Sequence, residues 1–376
     1  MRLTPTPELA ALRDRFRDFA DKEVAPHAAR HDAEERVDRA IVGRLAAEGL
    51  LAPLLPAGLG GRGLDPIAYG LLHEEIGRAC SSVRSLLTVH DMVADSVRRW
   101  GTPALRERWL PRLVSGEALG AFALSEPDAG SDAAAVATVA RPGRDGGHHL
   151  LTGTKRWITF GQLADVFLVF ARTPDEGPTA FLVARDRPGL SVEPLPGMLG
   201  TRGSMLAELR FDDCPVPRDH LLGAPGRAHP FITTSALTLG RYSVAAGSVG
   251  IVRACLEASA GYAAGRGVLQ HQLVQRMVAD MVVSAEAGRL LALRAGELIG
   301  AGSPHAPMAA TEAKYFAGRA AADAARDAVQ IHGAAGCSPD HPVARYYRDA
   351  KVMEIIEGGN EVSQTMIGRF GHTAGH

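Results

Sequence analysis

What most constrains this chain is that its hydrophobic period changes twice. From residue 8 to about 117 apolar side chains recur at helical spacing, broken by turns at 53–63 and at Gly101-Thr102-Pro103. Between about 118 and 225 the period shortens. Runs such as Val166-Phe167-Leu168-Val169-Phe170 and Thr179-Ala180-Phe181-Leu182-Val183 stand between Gly, Pro and Asp clusters, with Gly177-Pro178 and Pro188-Gly189 read as turns. From about 230 onward long Ala- and Leu-rich helical stretches return, at 242–263, 272–301 and 307–332. The pattern predicts an α+β multidomain protein divided as 1–117, 118–225 and 226–376, with no internal repeat.

At 376 residues the chain is long enough for such domains to share a large core. With 41 basic and 42 acidic residues it carries no overall positive field for nucleic acid. Cys80, Cys214, Cys255 and Cys337 are scattered, without CxxC or zinc-like spacing, so a reduced cytoplasm is expected. The most apolar tract, 228–252, is interrupted by His229 and Arg241 and reads as a buried helix rather than a membrane span. No apolar leader precedes the first helical run.

Several segments carry chemistry. In Ala121-Phe122-Ala123-Leu124-Ser125-Glu126-Pro127-Asp128-Ala129-Gly130-Ser131-Asp132, a glycine permits close backbone approach, and Ser125 and Ser131 can hydrogen-bond a flat heteroatom edge. Taken alone, this is equally a turn into the strand region. Lys155-Arg156-Trp157-Ile158-Thr159-Phe160-Gly161 adds one large aromatic and one hydroxyl. Glu357, among Ile355, Ile356, Gly358 and Gly359, is the candidate base. Partial desolvation raises a carboxyl toward neutrality, which suits removal of a weakly acidic proton. Glu354 and Glu361 are its rivals, both read as solvated. Gln330-Ile331-His332-Gly333-Ala334-Ala335-Gly336 offers small residues whose amides can approach a pyrophosphate, or simply a glycine-capped helix end; His332 is read as structural. Arg84, beside Ser85, can grip a carboxylate through two parallel hydrogen bonds, or lie on a helix surface. Gly58-Leu59-Gly60-Gly61-Arg62-Gly63 fits the dinucleotide fingerprint GxGxxG, but no strand–helix unit frames it, so it is discounted.

The segments at 121–132 and 155–161 together resemble the flavin-cradling segments of the acyl-CoA dehydrogenase family, and the helix–strand–helix order resembles that family's layout. The resemblance implies an N-terminal α-helical domain, a central β-barrel-like domain and a C-terminal four-helix bundle, with FAD as cofactor. It places Phe122, Leu124, Ser125, Gly130 and Ser131 along the isoalloxazine and the substrate thioester, with Trp157, Ile158 and Thr159 flanking the flavin. Arg348-Asp349-Ala350-Lys351, followed by Glu357-Gly358, matches the family's catalytic pattern and implies that Glu357 takes a proton while hydride passes to the flavin. Gln330, Gly333 and Ala334 match the loop that reaches the FAD of a neighbouring subunit, and Arg266 the arginine that grips its phosphates across a dimer. A homodimer or homotetramer is therefore expected. The chain departs from the pattern at Ser125 and Gly359, where the family has Thr, at Ala334 for Gly, and after Arg266, where about five residues are missing.

Arg84-Ser85 resembles the Arg-Ser pair of glutaryl-CoA dehydrogenase. That stretch, and Gly240-Arg241-Tyr242-Ser243-Val244-Ala245, also look like the dehydrogenases that make hydroxymalonyl-carrier protein for methoxymalonyl polyketide units. Arg241 is expected at the substrate and in support of Glu357, and Thr238 replaces a common acidic residue near the pantetheine. The expected reaction is oxidation of a small polar acyl thioester on a carrier protein or CoA, with an electron-transfer flavoprotein or oxygen as acceptor. A short-chain or dicarboxylic acyl-CoA dehydrogenase, and a non-catalytic flavin-binding subunit, are the alternatives.

Overall fold

Three helices of the N-terminal region begin in the same way, with a side-chain cap followed at once by proline. Thr6 caps α1 (Pro7–Phe19), Asp65 caps α4 (Pro66–Ala79) and Thr102 caps α6 (Pro103–Ser115). In each, the cap oxygen accepts from an otherwise orphaned amide, and proline fills a position whose N–H has no intrahelical partner. Between them lie α2 (Ala28–Ala33), α3 (Ala40–Ala47) and α5 (Ser81–Trp100). The glycines at 58–63 form a turn between α3 and α4, with Gly60 at φ +85°. The computed structural model describes residues 6–130, 132 and 135–373; Ser131, expected at the cofactor and substrate, lies outside them.

The strands are β1 (Gly120–Ala123), β2 (Val139–Pro142), β3 (His148–Ile158), β4 (Val166–Thr173), β5 (Gly177–Ala184), β6 (Leu190–Pro194), β7 (Ala207–Pro217) and β8 (Leu221–Leu222). They form one sheet in the order β6-β7-β3-β2-β4-β5-β8, with β1 parallel to β4 through Gly120↔Val166. Gly177 and Pro178, expected in a turn, are instead the first residues of β5, where Pro178 sits opposite Arg172. The strand end tolerates proline because few ladder bonds remain to be lost there. β4 is buried on both faces: Leu168 and Phe170 pack toward α5 and α6, Phe167 and Val169 into the opposite core. That is why it reads as an unbroken apolar run rather than an alternation.

After a π-helical turn at Ala228–Thr233 come α7 (Thr234–Gly265), α8 (Gln272–Gly300), α9 (Ala306–His332), α10 (Val343–Met353) and α11 (Asn360–Thr373). The chain is thus a mixed α+β protein with helices before and after a β region. The stretch Ala228–Gly265 is long and apolar enough to cross a membrane, but 67% of its apolar window is buried inside the protein. It is the central helix, packed on α4, α5, α8 and α9.

Candidate active site

Glu357 lies in the turn between α10 and α11, in the left-handed region at φ +57°, followed by Gly358 at φ +100°. A non-glycine residue adopts that conformation only where its surroundings impose it. Two cations do so here. Arg241 Nε donates to the Glu357 carbonyl at 3.0 Å, and Lys314 Nζ donates to the carbonyls of Gly358 (2.6 Å) and Glu354 (3.2 Å). Arg241 therefore holds the backbone of the candidate base rather than its carboxylate. The Glu357 carboxylate lies against α7 where Gly240 has no side chain; a Cβ there would stand 2.3 Å from Oε2. That oxygen is buried without a hydrogen-bond partner. Burial raises the Glu357 pKa above the usual carboxylate range, with Arg241, Arg84 and Lys314 opposing the rise. Of its rivals, Glu361 is exposed, but Glu354 is not freely solvated as expected. Its side chain is 18% exposed and bonds Lys351 and Asn360 at 2.9 Å each, which ties down the same turn.

Beneath this turn lies Arg84, only 1% exposed and among the largest fully buried side chains. The reading as a surface arginine is excluded. Its guanidinium donates to Thr88 Oγ1 (2.9 Å), Ser243 Oγ (3.2 Å), Ser85 Oγ (2.8 Å) and, weakly, Met353 Sδ (3.7 Å). Nε has no partner, and among the described residues no carboxylate forms an ion pair with it. Burial pulls its pKa down to about 10, so it keeps its proton at neutral pH. Desolvating an ion costs several kcal/mol, and neutral hydroxyls repay only part of that. The site exists because Gly247 leaves room: a Cβ there would lie 2.2 Å from Arg84 Cδ.

The third group of residues stands at the ends of β1 and β3. Lys155 and Glu126, both buried, join them: Lys155 Nζ donates to Glu126 Oε1 (2.7 Å) and to the Leu124 carbonyl (3.1 Å). Glu126 also accepts from the Ala137 and Thr138 amides and the Thr138 hydroxyl. Arg156 N–H donates to the Ser125 carbonyl at 2.9 Å, which ties the two segments together. On this base Trp157 sits at φ +59° with its indole 45% exposed and the Arg156 guanidinium 5.5 Å from the ring centre. The hydroxyls of Ser125 and Thr159 bond no other described residue, and the space beside Gly130 is open. An exposed aromatic ring, with hydroxyls on neighbouring segments that bond no other described residue, fits a planar heteroaromatic ring such as a flavin. Phe122 and Leu124 are largely buried, and Ile158, 1% exposed, points into the core under the sheet. Ile158 therefore offers backbone only.

Arg266, Gln330, Gly333 and Ala334 form a separate, exposed group. Tyr262 of α7 stacks on His332 of α9 with ring centres 4.2 Å apart, which brings the C-terminal ends of both helices together and gives His332 its structural role. Arg266 follows Arg241 by 25 positions along α7, about 37 Å at 1.5 Å per residue. Sequence reasoning missed Lys314, Ser243, Thr88, His73 and Asp91. A lysine within an Ala-rich helix and hydroxyls within apolar helices give no signal before packing is known.

Comparison with known proteins agrees with this geometry. The acyl-CoA dehydrogenase N-terminal, middle and C-terminal domain families match residues 6–117, 121–214 and 231–372. The short-chain specific mitochondrial acyl-CoA dehydrogenase of Mus musculus is 38% identical over 366 residues, covering 95% of this chain and 88% of that one. Among solved structures, the glutaryl-coenzyme A dehydrogenase–glutaryl-CoA complex superposes with a TM-score of 0.94 at 34% identity, covering 99% and 97% of the two chains. FkbI, for biosynthesis of the methoxymalonyl extender unit of the Fk520 polyketide, gives 0.87 at 34% identity, covering 96% and 99%. The chain belongs to the acyl-CoA dehydrogenase family. It is accordingly an FAD-dependent oxidoreductase, and short-chain, glutaryl-type and methoxymalonyl-pathway members resemble it to similar degrees.

Proposed function

We propose that this dehydrogenase oxidises a small acyl thioester with an acidic or strongly polar far end, carried on a carrier protein, toward hydroxymalonyl-carrier protein for polyketide extender units. The observation that carries the reading is Arg84: a buried guanidinium with only neutral partners and an unused Nε is poorly compensated until an anion joins it. An aliphatic acyl chain has no use for such a floor.

Glu357 accepts the proton at its unpaired Oε2, from carbon in a dehydrogenation or from the hydroxyl in an alcohol oxidation. FAD, when bound, supplies the two-electron acceptor. Arg241 and Lys314 keep the turn still while the charge on the carboxyl changes, because they hold carbonyls whose charge stays constant. Ser125, Thr159 and the Trp157 face hold the cofactor, with Lys155 and Glu126 fixing them from below. A cleft of about 500 Å3 lined by Thr234, Thr238, Leu239, Phe231 and Arg99 suits the pantetheine arm. Arg266, Gln330, Gly333 and Ala334 lie too far along the bundle to serve the same chain's Glu357 region, so they complete a neighbour's cofactor site in a homodimer or homotetramer. An electron-transfer flavoprotein or oxygen is the final acceptor, and the protein works in the cytoplasm.

A second reading, a glutaryl-type acyl-CoA dehydrogenase, draws on the same arginine and on the likeness to the glutaryl-CoA complex. Assay of glyceryl-type carrier-protein thioesters against glutaryl-CoA and butyryl-CoA separates the two. Turnover of the CoA esters alone removes the carrier-protein reading. The acidic-end proposal is tested by Arg84→Ala, which should cut kcat/KM for an acidic thioester on the order of a hundredfold more than for butyryl-CoA. Equal losses on both would remove it.

A further inference from the structure

One face of α5 runs from the buried Arg84 to the protein surface. Arg84, Thr88, Met92, Asp95 and Arg99 follow one another at intervals of three or four residues, so their side chains share that face. α7 lies along it: Ser243 meets Thr88, and a Cβ on Gly240 would stand 3.2 Å from Met92 Sδ as well as 2.3 Å from Glu357 Oε2. Met92 therefore marks the level of the candidate base. Arg84 lies eight positions before it and Arg99 seven after, about 12 and 10 Å along the helix at 1.5 Å per residue.

At the Arg99 level the cleft opens between the ends of α5 and α7, where Trp100 and Phe231 meet with ring centres 5.9 Å apart. Arg98 Nε and Nη2 donate to Asp95 Oδ1 at 3.0 and 2.7 Å, and Arg99 Nε lies 2.7 Å from Oδ2. Asp95 is the one acidic residue among those lining the cleft, and one carboxylate cannot neutralise two guanidiniums. A surplus positive charge is left. Arg106 adds to it: its Nη2 donates to the Arg99 carbonyl at 3.2 Å, and no described carboxylate pairs with it. The α7 wall has the other polarity. Thr234, Ser235 and Thr238 send their hydroxyl hydrogens back to the carbonyls of His229, Ile232 and Thr234, at 3.1, 3.1 and 2.7 Å. Each keeps lone pairs to offer. The cleft thus presents acceptors on its α7 wall and guanidinium donors, 33% and 47% exposed, on its α5 wall.

An acyl group on phosphopantetheine carries the complement in sequence: a thioester, amides whose N–H groups need acceptors, and then a phosphate. We propose that Arg98 and Arg99, held in place by Asp95, clamp that phosphate, the group shared by CoA and carrier-protein thioesters. Two forks anchored on one carboxylate bring donors to an anion from two sides, which a single lysine cannot do. One helix then reads both ends of the substrate, Arg84 at the acyl end and Arg98 with Arg99 at the phosphate. This rests on the reading of the cleft as the path of the pantetheine arm, whichever acyl group the arm carries.

The test places one acyl group that the FAD-loaded enzyme accepts on pantetheine, on 4′-phosphopantetheine, on CoA and on the carrier protein. The first two differ only in the phosphate. In the parent, kcat/KM for the phosphopantetheine thioester should exceed that for the pantetheine one about tenfold, through KM. Arg98→Ala and Arg99→Ala should each shrink this preference about threefold, and the double variant should abolish it, with the CoA and carrier-protein thioesters losing the same factor. Arg99→Lys, which keeps the charge without the fork, should fall between the parent and Arg99→Ala. A parent without phosphate preference, or a double variant that retains it, would overturn the proposal. So would a loss confined to CoA, which would put the contact on its nucleotide, or one confined to the carrier-protein thioester, which would put it on the carrier's surface. Thr238→Val, which removes an acceptor from the α7 wall, should raise KM on all four arms alike. If it does so while the arginine pair changes nothing, the cleft carries the arm and the clamp alone falls; if neither has an effect, the path through this cleft falls with it. The acyl-end reading is separate, since it stands or falls on whether Arg84→Ala discriminates between acidic and neutral acyl groups.

Discussion

Two arginine-bearing regions of this protein are built in opposite ways. Arg84 is 1% exposed, and four side-chain acceptors surround it, each held by another bond or by packing. Arg266 is exposed at the C-terminal end of α7, and its guanidinium bonds no other described residue. If Arg84 grips the acyl end, as proposed, a buried charge with its donors already arranged is a finished binding floor, because the cost of desolvation was met on folding. On the reading proposed above, an exposed arginine beside the exposed Gln330, Gly333 and Ala334 is half a site, completed by a neighbouring chain. Variants at the inner region should therefore change chemistry and selectivity and leave cofactor retention alone, while variants at the outer end should do the reverse.

The largest effect belongs to the inner region. Glu357→Gln should lower the rate of anaerobic flavin reduction by about 10²–10⁴-fold while FAD content stays unchanged. In the unaltered protein the same step should show an acid limb displaced upward. The raised pKa means that Glu357 becomes protonated, and useless as a base, as pH falls through a value above the usual carboxylate range of about 4.3. An unaltered rate in Glu357→Gln, or loss of FAD with it, would merge the two regions and end the distinction.

Next comes Gly247→Ala. The added methyl meets Arg84 Cδ at 2.2 Å, so the guanidinium stem or α7 must shift, at about 1–3 kcal/mol of stability. Chemical denaturation should read that loss, and preference for acidic over neutral thioesters should narrow with FAD affinity unchanged. A variant as stable and selective as the parent would show that the arginine's placement is not set by this glycine.

The layering was legible in the sequence because period is a local property. β4 and β5 announce themselves as apolar runs, and α7, α8 and α9 as long helical stretches. Gly177-Pro178 misled because strand ends tolerate turn residues. In the site, Glu357, Trp157 and Arg84 stand in distinctive local company. Lys314, Ser243 and His73 do not: each sits in an ordinary helix and acquires its partner only when α4, α7, α9 and the turn after α10 come together. Gly240 and Gly247 belong with them, since a helical glycine looks like a flaw until the carboxylate or guanidinium that needs its space is seen.

The smallest expected effect tests the outer end, and its design separates one subunit's site from its neighbour's. Arg266→Glu should weaken FAD binding about three- to tenfold, the scale of one charge-assisted contact to a partly solvated phosphate. On its own that number does not say whose cofactor was lost. Mixing does. If each site takes Glu357 from one chain and Arg266 from another, a dimer of one Glu357→Gln chain and one Arg266→Glu chain has both lesions in one site and none in the other. After subunit exchange of equal amounts, about one quarter of all sites should regain parental FAD affinity and rate together. If both residues serve the same chain, every site carries one lesion and mixing recovers nothing. That outcome would place Arg266 inside a self-contained site despite the 24 helical residues between it and Arg241, and the contrast between a finished region and a half-built one would be lost.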